Sequence, residues 1–335
     1  MKRVIAINMI LAICLCSVYV MPVDKADNNS VKLASASAKN AVRAHGRLRI
    51  RGTRIVDKNG KTFRFRGVST HGVAWFPQYV NKRAFKTLRD KYNVNCIRLA
   101  MYTTKQDGYS KAARQTVIKG VKYAKQLGMY AIIDWHILND GNPNTNKKKA
   151  IKFFRAMSKK FKSYNNVMYE ICNEPNGNVS WKSDIKPYAK KITKVIRKND
   201  KRGIIIVGSS TWSQDVDVTA QSPLKGKNIA YSLHFYAATH KDWNRQKLTT
   251  AVKKGLPVIV TEFSICDASG NGSLDKKSAN TWMRLLKKYH ISYCAWSLCN
   301  KAESSALIKS SCTKTYGFNK SDLSAAGKWY LCKKH

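Results

Sequence analysis

From residue 62 onward the chain alternates between short apolar runs and segments whose apolar residues return every three or four positions. The runs cover residues 63–69, 94–101, 129–135, 167–172, 203–208, 229–234, 256–263 and 291–298. Ile204-Ile205-Ile206-Val207 shows their character. Continuous apolarity, rather than alternation, marks a strand buried on both faces of a parallel sheet. Between the runs, Val117, Val121, Ala124 and Gly128 share one helical face, and Lys119, Lys122 and Lys125 take the other. Ile151, Phe154, Met157 and Phe161 repeat the pattern among Lys152, Lys159, Lys160 and Lys162. Eight strand–helix units predict an α/β fold, a (β/α)8 TIM barrel, better than a doubly wound sheet. No internal repeat is visible, so a single domain is expected over residues 46–335, with 144–149 as a short polar loop.

The N-terminus breaks the alternation. Lys2 and Arg3 precede an apolar stretch over residues 4–21, the pattern of a secretory signal. Residues 1–21 are therefore expected to be a signal peptide, with an uncleaved membrane anchor as the alternative. Residues 22–45 lack aromatics and periodicity and read as a flexible leader. The expected location is secreted and extracellular.

Composition adds two constraints. A hydrophobic fraction of 44% excludes intrinsic disorder, because such a chain can bury enough apolar surface to offset its conformational entropy. Against 62 Lys+Arg stand only 19 Asp+Glu, a net charge of +43 that favours anionic partners. Nucleic acid is not expected among them, since no basic stretch is interleaved with stacking aromatics. Cys96 and Cys172 sit in strand-like runs and read as buried thiols, whereas Cys312 and Cys332, in the loop-rich tail, are expected to form a disulfide. No Cys/His spacing suggests zinc, and no other metal or cofactor is expected.

In a barrel, chemistry gathers where the strands end. The runs deliver Ser69-Thr70-His71, Arg98 with Tyr102, Asp134-Trp135-His136, Asn173-Glu174, Ser209 to Trp212, His234-Phe235-Tyr236, Thr261-Glu262 and Trp296-Ser297. The chain has just four Glu, and two of them, Glu174 and Glu262, end the fourth and seventh runs. Two carboxyls facing each other across a barrel mouth are what glycosidic cleavage requires. One must be protonated to release the leaving oxygen; the other must be ionised to attack or to activate water. Glu170, inside the fourth run, is expected instead to pair with a buried base such as Arg98.

Six motifs in order then resemble the glycoside hydrolase family 5 cellulases. They are Gly67-Val68-Ser69-Thr70-His71-Gly72 with Trp75-Phe76, Ile133-Asp134-Trp135-His136, Tyr169-Glu170-Ile171-Cys172-Asn173-Glu174-Pro175, Leu233-His234-Phe235-Tyr236-Ala237, Val260-Thr261-Glu262 and Trp296-Ser297-Leu298. More narrowly, the chain resembles subfamily 2, secreted endo-β-1,4-glucanases, from about Gly52 to Lys334. The resemblance implies a single catalytic domain and a retaining mechanism with Glu174 as acid/base and Glu262 as nucleophile. Arg98 and Tyr236 would hold Glu262 ionised, and Asn173 would donate to the sugar 2-OH. His136 and His234 would position the −1 sugar and the acid/base, with Tyr102 lining that subsite and His71 close by.

Pyranose rings present apolar C–H faces that pack on indole. The resemblance places Trp296 beneath the −1 sugar, Trp75 on the glycone side and Trp212 on the aglycone side. It also sets Lys301 and Glu303 at the −2 sugar. Phe263 follows the nucleophile position where family members often carry Trp or Tyr, which should tune the pocket. The expected substrate is cellulose or a related β-1,4-glucan, cut by a monomer. The sequence carries no linker to a carbohydrate-binding module, so a weak grip on crystalline cellulose is expected. The charge could adsorb the enzyme to acidic wall polymers. Alternative readings are a β-mannanase or another β-glucanase on the same scaffold, or a basic polysaccharide-binding protein.

Overall fold

The structure, a computed structural model, describes residues 40–333. The expected signal peptide and the leader up to residue 39 lie outside the described residues. A two-stranded antiparallel hairpin, β1 (Arg49–Arg51) and β2 (Arg54–Val56), comes first. Eight parallel strands then close into a barrel in chain order: β3 (Arg66–Thr70), β4 (Cys96–Tyr102), β5 (Tyr130–His136), β6 (Val167–Glu170), β7 (Ile205–Val207), β8 (Ile229–Tyr236), β9 (Val258–Ser264) and β10 (Tyr293–Leu298), with β10 returning to β3. Each predicted run overlaps one barrel strand, and the (β/α)8 expectation holds.

The barrel strands are buried on both faces, yet their two faces do different things. In β5, Ala131, Ile133 and Trp135 point outward into the layer beneath the helices. Tyr130 and Ile132 point inward, joining Cys96, Met168, Ile206, Ala230, Ile259 and Cys294 in the barrel interior. The period of two then carries the inward column from Tyr130 and Ile132 to Asp134 and His136. The same step leads from Cys96 to Arg98 on β4 and from Met168 to Glu170 on β6. The interior is thus apolar at its floor and polar at its mouth.

Leu48, Ile55, Phe63 and Phe65 close the floor. This seal begins earlier than expected. Residues 40–45 are not a flexible leader: Ala41–His45 is helical, Ala41 is buried, the Val42 N–H donates to the Gly128 carbonyl at 3.0 Å, and His45 Nδ1 lies 2.9 Å from Asp57 Oδ2. The small residues that hid this segment in the sequence are what let it lie flat on the barrel.

The outer helices follow the amphipathic stripes. Lys111–Gln126 buries Val117, Val121 and Ala124 and is capped by Ser110, whose hydroxyl accepts the Ala113 N–H at 3.1 Å. Gly128 lies beyond that helix, at φ 69°, where it turns the chain into β5. Residues 147–149 correct the loop expectation: Lys147–Phe161 is one helix, and its lysines form the first turn because the buried stripe already starts at Ala150. The expected disulfide is likewise corrected. Cys312 is buried in a loop and Cys332 sits exposed at the end of the last helix, Ala325–Leu331; both are free thiols. Among the described residues no helix is long and apolar enough to cross a membrane.

Candidate active site

The strand ends open into a cleft of about 630 Å³, walled by His71, Trp75, Tyr102, Glu174, Trp212, His234, Tyr236, Glu262, Trp296 and Glu303 among others. Its buried base is Arg98, whose side chain has no solvent exposure. The Arg98 guanidinium donates from Nε and Nη2 to both oxygens of Glu170, at 2.8 and 3.2 Å. It also reaches Glu262 at 2.9 Å, Asp134 at 3.0 Å and the side-chain oxygen Oδ1 of Asn173 at 2.5 Å. One planar fork therefore fixes the exits of β4, β5, β6 and β9 relative to one another.

Around it the carboxyls divide into two kinds. Burial alone would raise Glu262, but the positive charges of His234 and Arg98 and the Tyr236 hydroxyl, which donates at 2.8 Å, hold it below the ordinary value. Glu170 is likewise pulled down against burial, to about 2, by Arg98 and His234. Glu174 moves the other way, raised by burial and by the charge of Glu262. Asp134, fully buried, is raised by burial and by the charges of Glu170 and Glu262, against the pull of Arg98.

His234 balances the set. Burial would lower it, but Glu170 and Glu174 raise it to about 9. Its Nδ1 lies 2.8 Å from Glu174, and its Nε2 lies 2.8 Å from the Thr261 hydroxyl, which in turn donates to Glu170 at 2.7 Å. Arg98 and His234 thus hold Glu170 and Glu262 down, while burial and the neighbouring carboxylates push Asp134 and Glu174 up. His136 stays neutral, pushed down to about 3 by burial and Arg98. Its Nδ1–H donates to Asp134 at 2.7 Å.

A carboxylate oxygen of Glu174 lies within 4.8 Å of one of Glu262. That pair, with its pKa values pushed in opposite directions, can donate a proton on one side of a bond and attack from the other. Glu174, His234 and Glu262 also have metal-ligand spacing, the one such trio among the described residues. The donor set suits proton transfer better: His234 is protonated rather than a free lone pair, and Arg98 already occupies Glu262.

Rings line the floor and both ends. Trp296 stacks on His136 with centroids 5.2 Å apart and packs 5.1 Å from His71. Trp75 stacks on Tyr102 at 4.9 Å. Trp75 and Trp212 are 44% and 45% exposed, so each offers an open indole face. The Trp212 turn is strained: Thr211, Trp212 and Ser213 all have φ between 52° and 58°. Asp215 holds it by accepting the Thr211 and Ser210 hydroxyls at 2.5 and 2.8 Å, while Lys247 donates to Asp215 at 2.7 Å. Lys301 meets Glu303 at 2.6 Å, and His71 lies 3.7 Å from the other Glu303 oxygen.

All fourteen residues singled out in the sequence thus gather at one end of the barrel. Arg98 and Asn173 are not in the cleft wall but behind it, fully buried. Asn173 already donates to the Ile137 carbonyl at 2.9 Å and sits 3.4 Å from His136 Nε2, so contact with a sugar would replace that longer bond. Asp134 and Thr261 were named only as strand-end residues without a role, although each anchors a histidine. The signal for Asp134 was the period of two that puts it on the same inward column as His136. Thr261 carried the same signal, two positions beyond the inward Ile259.

The cellulase model of glycosyl hydrolase family 5 matches residues 56–302. An endoglucanase of Clostridium saccharobutylicum is 46% identical over 84% of this chain and 63% of its own, and Endoglucanase A of Butyrivibrio fibrisolvens is 42% identical over 86% and 68%. The chain therefore spans about two thirds of the length of these relatives. Among solved structures, the catalytic domain of the Thermobifida fusca endoglucanase Cel5A in complex with cellotetraose superposes with a TM-score of 0.83 at 32% identity, covering 88% of this chain and 98% of that one. The chain belongs to the cellulases of glycosyl hydrolase family 5.

Proposed function

We propose that this chain is an endo-β-1,4-glucanase that hydrolyses internal bonds of cellulose or related β-1,4-glucans with retention of configuration. Glu174 protonates the glycosidic oxygen while Glu262 attacks the anomeric carbon, forming a glycosyl ester and releasing the aglycone. Esterification removes the negative charge that had raised Glu174, so its acidity increases and it becomes the base that draws a proton from the incoming water. Water then cleaves the ester. The observation that carries the reading is the short carboxyl separation combined with pKa shifts in opposite directions. Retaining enzymes hold the pair about 5–5.5 Å apart, whereas inverting ones leave about 6.5–9.5 Å for a water.

Arg98 and Tyr236 keep the nucleophile ionised, His234 orients the acid, and His136, Tyr102, Asn173 and Trp296 surround the −1 sugar. Trp75, His71, Lys301 and Glu303 take the glycone side and Trp212 the aglycone side. Membership of subfamily 2 is part of the same reading, supported by the six ordered motifs. Secretion is supported by the basic-then-apolar N-terminal pattern, and the mature protein's N-terminal sequence from culture medium tests it.

The experiment is release of reducing ends from hydroxyethyl cellulose and from mannan, two neutral polymers on which the positive charge has no pull. Wild type should favour the glucan, and Glu174→Ala and Glu262→Ala should each lose nearly all activity. Faster mannan cleavage would move the substrate class, and full activity in either variant would remove the mechanism.

A further inference from the structure

On the outer wall of the barrel, the helix Lys147–Phe161 packs beside the helix Lys186–Arg197. Residues 147–162 contain eight Lys or Arg and no Asp or Glu, and residues 186–198 contain six and none. A groove of about 320 Å³ runs between them, with Arg155, Lys191, Lys194 and Lys198 around Ile151 and Val195. All four bases are exposed, and among the described residues none of them meets a carboxylate at ion-pair distance. Lys191, Lys194 and Lys198 stand three and four positions apart, on one face, where like charges repel. A second basic groove of the outer wall, around Arg245, Arg284 and Lys288, contains Asp242 bonded to Arg245 at 2.9 Å. The 147–198 wall has no such neutralisation.

We infer that this groove binds a linear acidic polysaccharide, a chain of carboxylated sugars, on a surface separate from the catalytic cleft. The cations meet the carboxylates, and Ile151 and Val195 offer aliphatic contact to the C–H faces of the rings. Nucleic acid fits less well: the exposed large aromatics are Trp75, Trp212, Trp243 and Tyr316, none of them in the groove, so bases have no platform to stack on. An anionic bilayer fits less well too, since among the described residues none of the exposed large apolar side chains lies in the groove. The cleft opens at the strand ends, so a chain held on the helical wall leaves it open to glucan. The inference rests on the reading of this chain as a polysaccharide-degrading enzyme.

Retention on immobilised polygalacturonate at low salt tests it, using the whole protein. The quadruple variant Arg155→Gln, Lys191→Gln, Lys194→Gln and Lys198→Gln should bind at least about tenfold more weakly. A control variant, Lys276→Gln, Lys277→Gln, Lys287→Gln and Lys288→Gln, removes the same charge from another helix and should bind within about twofold of wild type. Both should hydrolyse hydroxyethyl cellulose like wild type, which separates this inference from the catalytic one. Equal loss in the two variants would overturn the groove in favour of diffuse charge. Groove-dependent retention on DNA or on phosphatidylserine vesicles, but not on polygalacturonate, would overturn the choice of occupant.

Discussion

Removing the Tyr236 hydroxyl leaves Glu262 with Arg98 and His234 as its partners and takes away a short donor that favours the ionised form. Tyr236→Phe is therefore expected to raise the Glu262 pKa, moving the acid limb of the kcat/KM profile toward higher pH. The loss of a buried donor at the developing charge should lower kcat/KM on the order of a hundredfold. An unmoved acid limb would separate Tyr236 from the nucleophile. Glu170 invites a stability test instead. Its carboxyl is held near 2, well below the ordinary 4.5, so its ionised form stabilises the fold above about pH 4.5 and that contribution fades as pH falls toward 2. Glu170→Gln should cost about 3 kcal/mol at neutral pH, as expected when one partner of a buried pair is removed. The gap between variant and wild-type melting curves should narrow between about pH 5 and pH 2. A constant gap would mean that Glu170 contributes by shape rather than charge.

The elements deliver these residues by strand alternation, and close backbone packing keeps them in register. Gly208, just past β7, shows the tolerance: a Cβ there would lie 2.2 Å from the Cys172 carbonyl and 3.0 Å from the Asn173 carbonyl. Gly208→Ala should push the β6 exit and with it Glu174. A displacement near 1 Å at the reacting groups costs on the order of a hundredfold in rate, while overpacking costs about 1–3 kcal/mol. Reduced kcat with a folded, slightly less stable protein is the expected result of steady-state kinetics and thermal melting. Element existence was legible in the sequence because eight apolar runs cannot be hidden by lysine-rich helices. Boundaries were less so. The Lys147–Lys149 turn read as a loop because charge masks helix propensity, and Ala41–His45 read as leader because a methyl group gives little hydrophobic signal.

At the scale of the molecule, the site was legible for a chemical reason. With so few Glu in the chain, two at strand exits stood out, and the charge balance of Arg98 and His234 against four buried carboxyls explains why their pKa values move in opposite directions. What the sequence did not reveal was relational. The Thr261 bridge between His234 and Glu170, the burial of Asn173 and the free state of Cys312 and Cys332 depend on the packing of segments far apart in the chain. In the cleft the charges nearly cancel, with Arg98, His234 and Lys301 beside Glu170, Glu262 and Glu303, so the net charge of +43 is carried elsewhere in the chain. Hydrolysis of a neutral oligosaccharide such as cellopentaose should accordingly depend little on salt, whereas binding to polyuronate should weaken steeply as added salt shortens the screening length to about 8–10 Å. The central claim is that Glu262 is the nucleophile of a retaining reaction. Its most direct test is mass spectrometry of the protein after incubation with an activated 2-deoxy-2-fluoro cellobioside, followed by peptide mapping. The account predicts one glycosyl unit esterified to Glu262 and none in Glu262→Ala. Labelling of Glu174 or of any other side chain would contradict it.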